Sequence, residues 1–205
     1  MIIIDLDGTF VRVNTFHKWM KFLFVEALKK VQLVSVIKIL TIITLRYTKR
    51  IDHAKMKYRI LEISEQIIEK NQIIQFVKTL DPYIHQDLFK IIQDKSHITI
   101  LATAAPVLYA QSIKDIYHFD FLLATNDTTH FPWQENIREE KAKNVEKLFE
   151  QHTWDSEKSI LYTDHHDDIP LMQMVSLTYL VNASEKTKIL TRDAKINFEL
   201  VYESP

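Results

Sequence analysis

The chain is 205 residues long, 46% hydrophobic and 26% charged, with a formal net charge of −1; this suits one folded core with an inserted subdomain and is short for two independent domains. The near-zero charge predicts no global attraction to nucleic acid or to an anionic membrane, and the absence of cysteine removes disulfides, thiolate catalysis and cysteine-held zinc. With Gly8 as the one glycine, glycine-rich phosphate loops and the Gly-x-Ser-x-Gly elbow, which need at least two, are excluded as well.

Met1–Ile4 is a short apolar run without a basic flank, followed at once by Asp5 and Asp7; it reads as a buried strand and not as a secretory leader. From residue 14 to about 80 the patterns are helical, at 15–30, 31–47, 52–70 and 71–79. Val31–Leu45 is apolar nearly all round, yet it holds Gln32, Ser35 and Lys38 and runs only 15 residues, short of the ~20 that a membrane-crossing helix needs. Plain core, a greasy substrate surface and a partner surface, including one for a second copy, all fit such a segment. The basic stretch Lys49, Arg50, Lys55, Lys57 and Arg59 reads as a solvated face or as an anion-steering patch.

Asp81-Pro82 offers a cap and a first-turn proline for a return helix over 82–95. Further strands are expected at His97–Leu101, Phe121–Ala124, Ser159–Tyr162 and Leu177–Val181, with helices at 106–116, 139–151, 168–175 and 185–195. This alternation predicts an α/β fold, a Rossmann-like parallel sheet flanked by helices. Residues 1–13 and 81–205 would form its core, and 14–80 a helical subdomain inserted after the first strand.

The chemistry-bearing residues cluster at expected strand ends. Asp5 and Asp7 are two apart on a strand and so face one side, at the sheet edge where open parallel sheets hold ligands. Asp-x-Asp-Gly-Thr over Asp5, Asp7, Gly8 and Thr9 fixes four positions, a match expected by chance about once in 10^5 windows. The second group, Asp164-His165-His166-Asp167-Asp168, crowds three carboxylates that repel unless a cation or water relieves them. A hard cation such as magnesium suits oxygen ligands; taken alone, the stretch reads better as a solvated acidic turn, and the two neighbouring histidines read as solvent-facing rather than as zinc ligands.

Taken together, Asp-x-Asp-Gly-Thr, Thr103 after an apolar strand, Lys141, and Asp164-x3-Asp168 resemble, in this order, the motifs of the haloacid dehalogenase superfamily. Tyr162 to Met172 followed by Val181-Asn182 is similar to its phosphoserine-phosphatase-like branch. The resemblance implies a magnesium-dependent phosphomonoester hydrolase. Asp5 would be the nucleophile that forms a phospho-aspartate, and Asp7 the general acid and base. Asp5, the Asp7 backbone carbonyl and Asp164 would hold Mg2+. Thr103 and Lys141 would bind the phosphate oxygens, and Asp168 and Thr9 would stand behind them. Lys143 is a second candidate for the lysine, because Gln134 and Asn136 stand where the family often has glycines. A phosphotransferase with the same intermediate, or a non-catalytic binding protein on this fold, are the other readings.

The helical insertion between the first two motifs implies a C1-type cap. Thr103-Ala104-Ala105-Pro106 replaces the Ser-Gly-Gly expected of phosphoserine specificity. The implied partner is a small phosphorylated metabolite, without nucleic acid or a transmembrane segment, in a cytoplasmic setting. From Phe16, Trp19, Phe22, Phe24 and the 31–45 run, a bulky apolar leaving group is expected.

Overall fold

The computed structural model describes residues 1–126 and 134–202. Its first strand, β1 (Ile2–Ile4), is followed by four helices: α1 (Thr15–Lys29), α2 (Leu33–Tyr47), α3 (His53–Ile67) and α4 (Lys70–Lys78). Then come α5 (Gln86–Gln93), β2 (Thr99–Pro106), α6 (Val107–Tyr117), β3 (Phe121–Thr125), α7 (Arg138–His152), β4 (Ile160–Thr163), α8 (Ile169–Met172), β5 (Leu177–Val181), α9 (Glu185–Asp193) and β6 (Phe198–Val201). The six strands form one parallel sheet in the order β3-β2-β1-β4-β5-β6.

The sheet is covered on both faces, which is why its central strands read as unbroken apolar runs. On β1, Ile2 and Ile4 join one core with Phe10, Trp19, Phe76, Leu101 and Tyr109, while Ile3 joins the other with Ile100, Val145, Phe149 and Leu161. Alternate residues of a strand face opposite sides, so three consecutive isoleucines serve two cores. The block α1–α4 shares the first of these cores with the sheet. Trp19 is fully buried against Tyr109 of α6, and its indole N–H donates to Ser64 Oγ of α3 at 3.0 Å.

Several details depart from the sequence expectations: β2 runs to Pro106, five residues past the expected end at Leu101, so Thr103 lies within it, and the helix expected at 168–175 is only Ile169–Met172. The Asp81-Pro82 signal starts only a 3-10 turn, Asp81–Tyr83; α5 begins at Gln86, after His85, whose Nδ1 accepts the N–H of Leu88. Proline fixed the first turn, but buried His85 rather than Asp81 carries the helix cap. The sixth strand was missed because Phe198–Val201 is an edge strand with Glu199 exposed on it, so no apolar run marks it. No helix among the described residues is long and apolar enough to cross a membrane.

Strand order reverses at β1, which pairs with β2 on one side and β4 on the other. At such a switch point the chain leaves neighbouring strands in opposite directions, opening a crevice at their carboxyl ends.

Candidate active site

Asp5 directly follows β1 and is held in line with the sheet by its N–H, which donates to the Tyr162 carbonyl of β4 at 3.0 Å. The chain then folds back: the N–H groups of Phe10 and Val11 donate to the carbonyls of Asp5 and Leu6. Gly8 makes this turn at φ +81°, in the left-handed region that side chains resist. A Cβ there would also collide with the Asp164 carboxylate. The one glycine of the chain therefore lets a carboxylate from β4's end lie against the loop from β1's end. Asp7 is fixed by the Thr15 N–H, which donates to its Oδ1 at 2.8 Å, and Thr15 Oγ1 lies 3.2 Å from the buried Tyr109 hydroxyl.

Lys141 enters from the first turn of α7. Its ammonium donates to Asp5 Oδ1 at 2.7 Å and to Asp168 Oδ2 at 2.8 Å, and that same Asp168 oxygen accepts the Thr163 hydroxyl at 2.7 Å. Lys143 is exposed on the outer side of the helix. Burial pulls the Lys141 ammonium down, but the charges of Asp168 and Asp5 outweigh it and hold the lysine cationic. Burial, together with the charges of Asp168 and Asp164, raises the Asp5 carboxyl against the pull of Lys141. Burial likewise raises Asp7 against its hydrogen bonds from Thr15, and pushes Asp164 up to about 6, with Asp168 adding to the effect. Buried carboxylates raised in this way await positive charge. Asp5, and Asp164 lying against Gly8 where a Cβ is missing, fit an oxygen-ligated divalent cation.

Thr103 is buried near the end of β2, and its Oγ1 accepts the Ala105 N–H at 3.0 Å, which leaves the hydroxyl proton free. The loop before α7 is anchored by buried Asn136. Its amide donates to the carbonyls of Thr103 and Leu123, its N–H donates to Thr125 Oγ1, and its Oδ1 accepts the amide of Asn144 on α7. These bonds tie β2, β3 and α7 together where a flexible glycine was expected, and so set the helix that carries Lys141.

Asp5, Asp7, Thr103, Lys141, Asp164 and Asp168 line one cavity of about 460 Å³. Thr9 is the exception among the expected residues: it is fully buried, and its hydroxyl has no hydrogen-bond partner among the described residues. The helical block closes the cavity with Asn14, Phe16, His53 and Lys57. Lys57 is turned inward, 3.2 Å from Glu135 and 3.3 Å from the Ala104 carbonyl. It is thus not the solvated lysine its basic neighbourhood suggested; its place in α3 one turn after His53, on the helix's inner face, was the available signal. None of residues 31–45 lines the cavity, which removes that run as a substrate surface.

His165, His166 and Asp167 bring ligand atoms within 4.8 Å of one another at the cavity rim. Asp167 Oδ1 already accepts Arg138 Nε at 2.9 Å, and His165 Nδ1 accepts the Asp167 N–H at 3.1 Å. Two of the cluster's acceptor atoms are thus already engaged, which disfavours the zinc reading.

Residues 2–173 match the haloacid dehalogenase-like hydrolase family. No curated protein matches the sequence. Among solved structures, a protein of unknown function from Bordetella pertussis Tohama I superimposes with a TM-score of 0.75 at 13% identity, over 97% of this chain and 96% of that one. A probable phosphoserine phosphatase from Vibrio cholerae gives 0.68 at 13% identity, over 99% of this chain and 61% of that one. A phospho-aspartyl intermediate analogue of phosphoserine phosphatase gives 0.60 at 12% identity, over 99% and 92%. At these identities the likeness is one of fold.

Proposed function

Since the chain belongs to the haloacid dehalogenase-like hydrolases, we propose that it is a magnesium-dependent phosphomonoesterase working through a phospho-aspartate on Asp5. The observation that carries this reading is the Asp5 carboxylate itself. It stands at the sheet's switch point, 2.7 Å from a buried lysine, with the Asp164 carboxylate lying against Gly8 of the same loop.

Asp5 attacks phosphorus in line, and the bond to the ester oxygen breaks as the Asp5–phosphorus bond forms. Asp7, whose pKa burial raises, gives its proton to the departing oxygen. Its fixed Oδ1, bonded to the Thr15 N–H, leaves the other oxygen to carry that proton. The resulting carboxylate then takes a proton from the water that attacks phosphorus, releasing inorganic phosphate and restoring Asp5. Thr103, through its free hydroxyl proton, and Lys141 hold the non-bridging oxygens, where negative charge must be stabilised. Asp168 keeps Lys141 cationic and aimed.

Asp5, the Asp7 backbone carbonyl and Asp164 are the groups that would hold Mg2+, which supplies charge neutralisation between carboxylate and phosphate. Residues 14–80 act as a cap over the cavity. The leaving group faces Asn14, Phe16, His53 and Lys57, a mixed polar set with one aromatic ring. This lining favours a leaving group that carries hydrogen-bonding groups over the bulky apolar one expected from composition.

Steady-state assay on an aryl phosphate with Mg2+ tests the reading. Asp5→Asn and Asp7→Asn should each lose ~10^4-fold in kcat, equivalent to roughly 5.5 kcal/mol of barrier, while keeping wild-type circular dichroism. Near-normal turnover in folded Asp5→Asn protein would remove the mechanism.

A further inference from the structure

The hairpin of α1 and α2 keeps its apolar residues on the outside. Of thirteen large hydrophobic side chains that are exposed among the described residues, nine fall between residues 25 and 47. On α2, the buried face is Ser35, Val36, Ile39 and Ile42, while Leu33, Val34, Ile37 and Leu40 face solvent at 62%, 67%, 63% and 49% exposure. The turn before α2 is tipped by Val31, 73% exposed and at φ 56°, a left-handed conformation that a β-branched residue resists. A folded chain leaves so large a contiguous apolar surface uncovered where something else covers it.

Charge identifies what covers it. Residues 15–51 contain eight lysines and arginines and one acid, Glu26, a net charge of +7 against −1 for the whole chain. Glu26 is buried and spent on Lys29 and Gln72, so this stretch presents no exposed carboxylate. Lys29, Lys30, Lys38, Arg46, Lys49 and Arg50 are exposed and interleave with the apolar residues along the chain. The exposed threonines nearby bond locally: Thr41, Thr44 and Thr48 donate their hydroxyls to carbonyls of their own helix, which satisfies those donors without water. A second copy of the chain would oppose one such cationic face with another. Acids reach this face only at its edges, Glu69 3.7 Å from Lys30 and Glu62 of α3 beside Lys38 and Arg59, and an apolar stripe in which lysine and arginine outnumber them matches a surface rich in anionic lipid headgroups.

We propose that the α1–α2 hairpin docks on an anionic lipid bilayer, lying in the headgroup plane with the Val31–Leu40 surface against the acyl boundary. At 15 residues, α2 is about 22 Å long, too short to cross a hydrocarbon core of ~30 Å. The helix therefore lies on the membrane. The α2–α3 turn leads directly into His53, so the docked face adjoins the element that closes the cavity.

Flotation of the full chain with phosphatidylcholine vesicles, with and without phosphatidylglycerol, tests the proposal. The wild-type chain should float with the anionic vesicles, and about tenfold less with neutral ones or in high salt. Val34→Asp/Ile37→Asp and Lys38→Glu/Arg46→Glu should each lose at least about tenfold in partitioning, with unchanged melting curves as the control for folding. Equal partitioning to neutral and anionic vesicles, or none to either, would overturn it. So would sedimentation equilibrium showing a dimer that Val34→Asp/Ile37→Asp dissolves, in a chain that ignores vesicles.

Discussion

A methyl group at position 8 would meet two separate obstacles. It would sit at φ +81°, and it would collide with the Asp164 carboxylate. The backbone strain alone costs about 1 kcal/mol. The collision displaces a proposed metal ligand, for which losses of ~10–100-fold in affinity are typical. Gly8→Ala should therefore lower both the melting temperature and Mg2+ affinity, measured by the Mg2+ dependence of turnover; unchanged Mg2+ dependence would separate Gly8 from the metal site. Much of this site was legible in the sequence because the aspartates come in fixed short spacings on strand ends, where neighbours in sequence are neighbours in space. Lys141 was ambiguous with Lys143 for the opposite reason: two residues apart on a helix point to different sides, and only packing decides which one is inside. Asn136, Glu135 and Lys57 were hidden further still. Their meaning lies in contacts between residues 33, 47 or 78 positions apart, and no local pattern encodes such pairs.

At the scale of elements, a chain with one glycine must end its helices with other residues. Among the described residues seven that are not glycine stand at positive φ, including His118 after α6 at 63° and Thr153 after α7 at 54°. His118 and Thr153 hold the left-handed position after a helix that glycine ordinarily fills, at a cost of about 1–2 kcal/mol apiece. His118→Gly should therefore stabilise the protein by about 1 kcal/mol, read as a higher urea midpoint at unchanged slope. A lower midpoint would mean that the His118 side chain contributes more than its backbone strain costs. Element positions were legible because burial on both faces writes strands as apolar runs, and α6, α7 and α9 lie within a residue or two of the expected spans. The edge strand β6 and the start of α5 were not, because one lacks an apolar run and the other is capped by a buried histidine.

Across the whole molecule, the net charge of −1 conceals a cationic hairpin and an acidic remainder, and the cavity gathers five aspartates with Lys57, Lys141 and Arg138. Asp164 is pushed from its ordinary 3.8 up to about 6, chiefly by burial, and Asp5 is raised also. In this window the folded chain holds protons that the unfolded chain has released, so stability without metal falls as pH rises from about 4 through the folded-state values. Mg2+ binds the deprotonated site and opposes that fall. The rise in melting temperature on adding Mg2+ should be larger at about pH 8 than at about pH 5; an equal rise at both would place the cation elsewhere. The central claim is the covalent bond between Asp5 and phosphorus, and one measurement bears on it most directly. In Asp7→Asn protein an aryl phosphate, whose leaving group departs without a proton, still permits attack by Asp5, while the water step lacks its base. Acid-quenched peptide mass spectrometry of that variant with Mg2+ should find one phosphoryl group on Asp5, absent from Asp5→Asn/Asp7→Asn. A phosphoryl group on His165 or His166, or substrate turnover with no labelled residue at any quench time, would contradict the account.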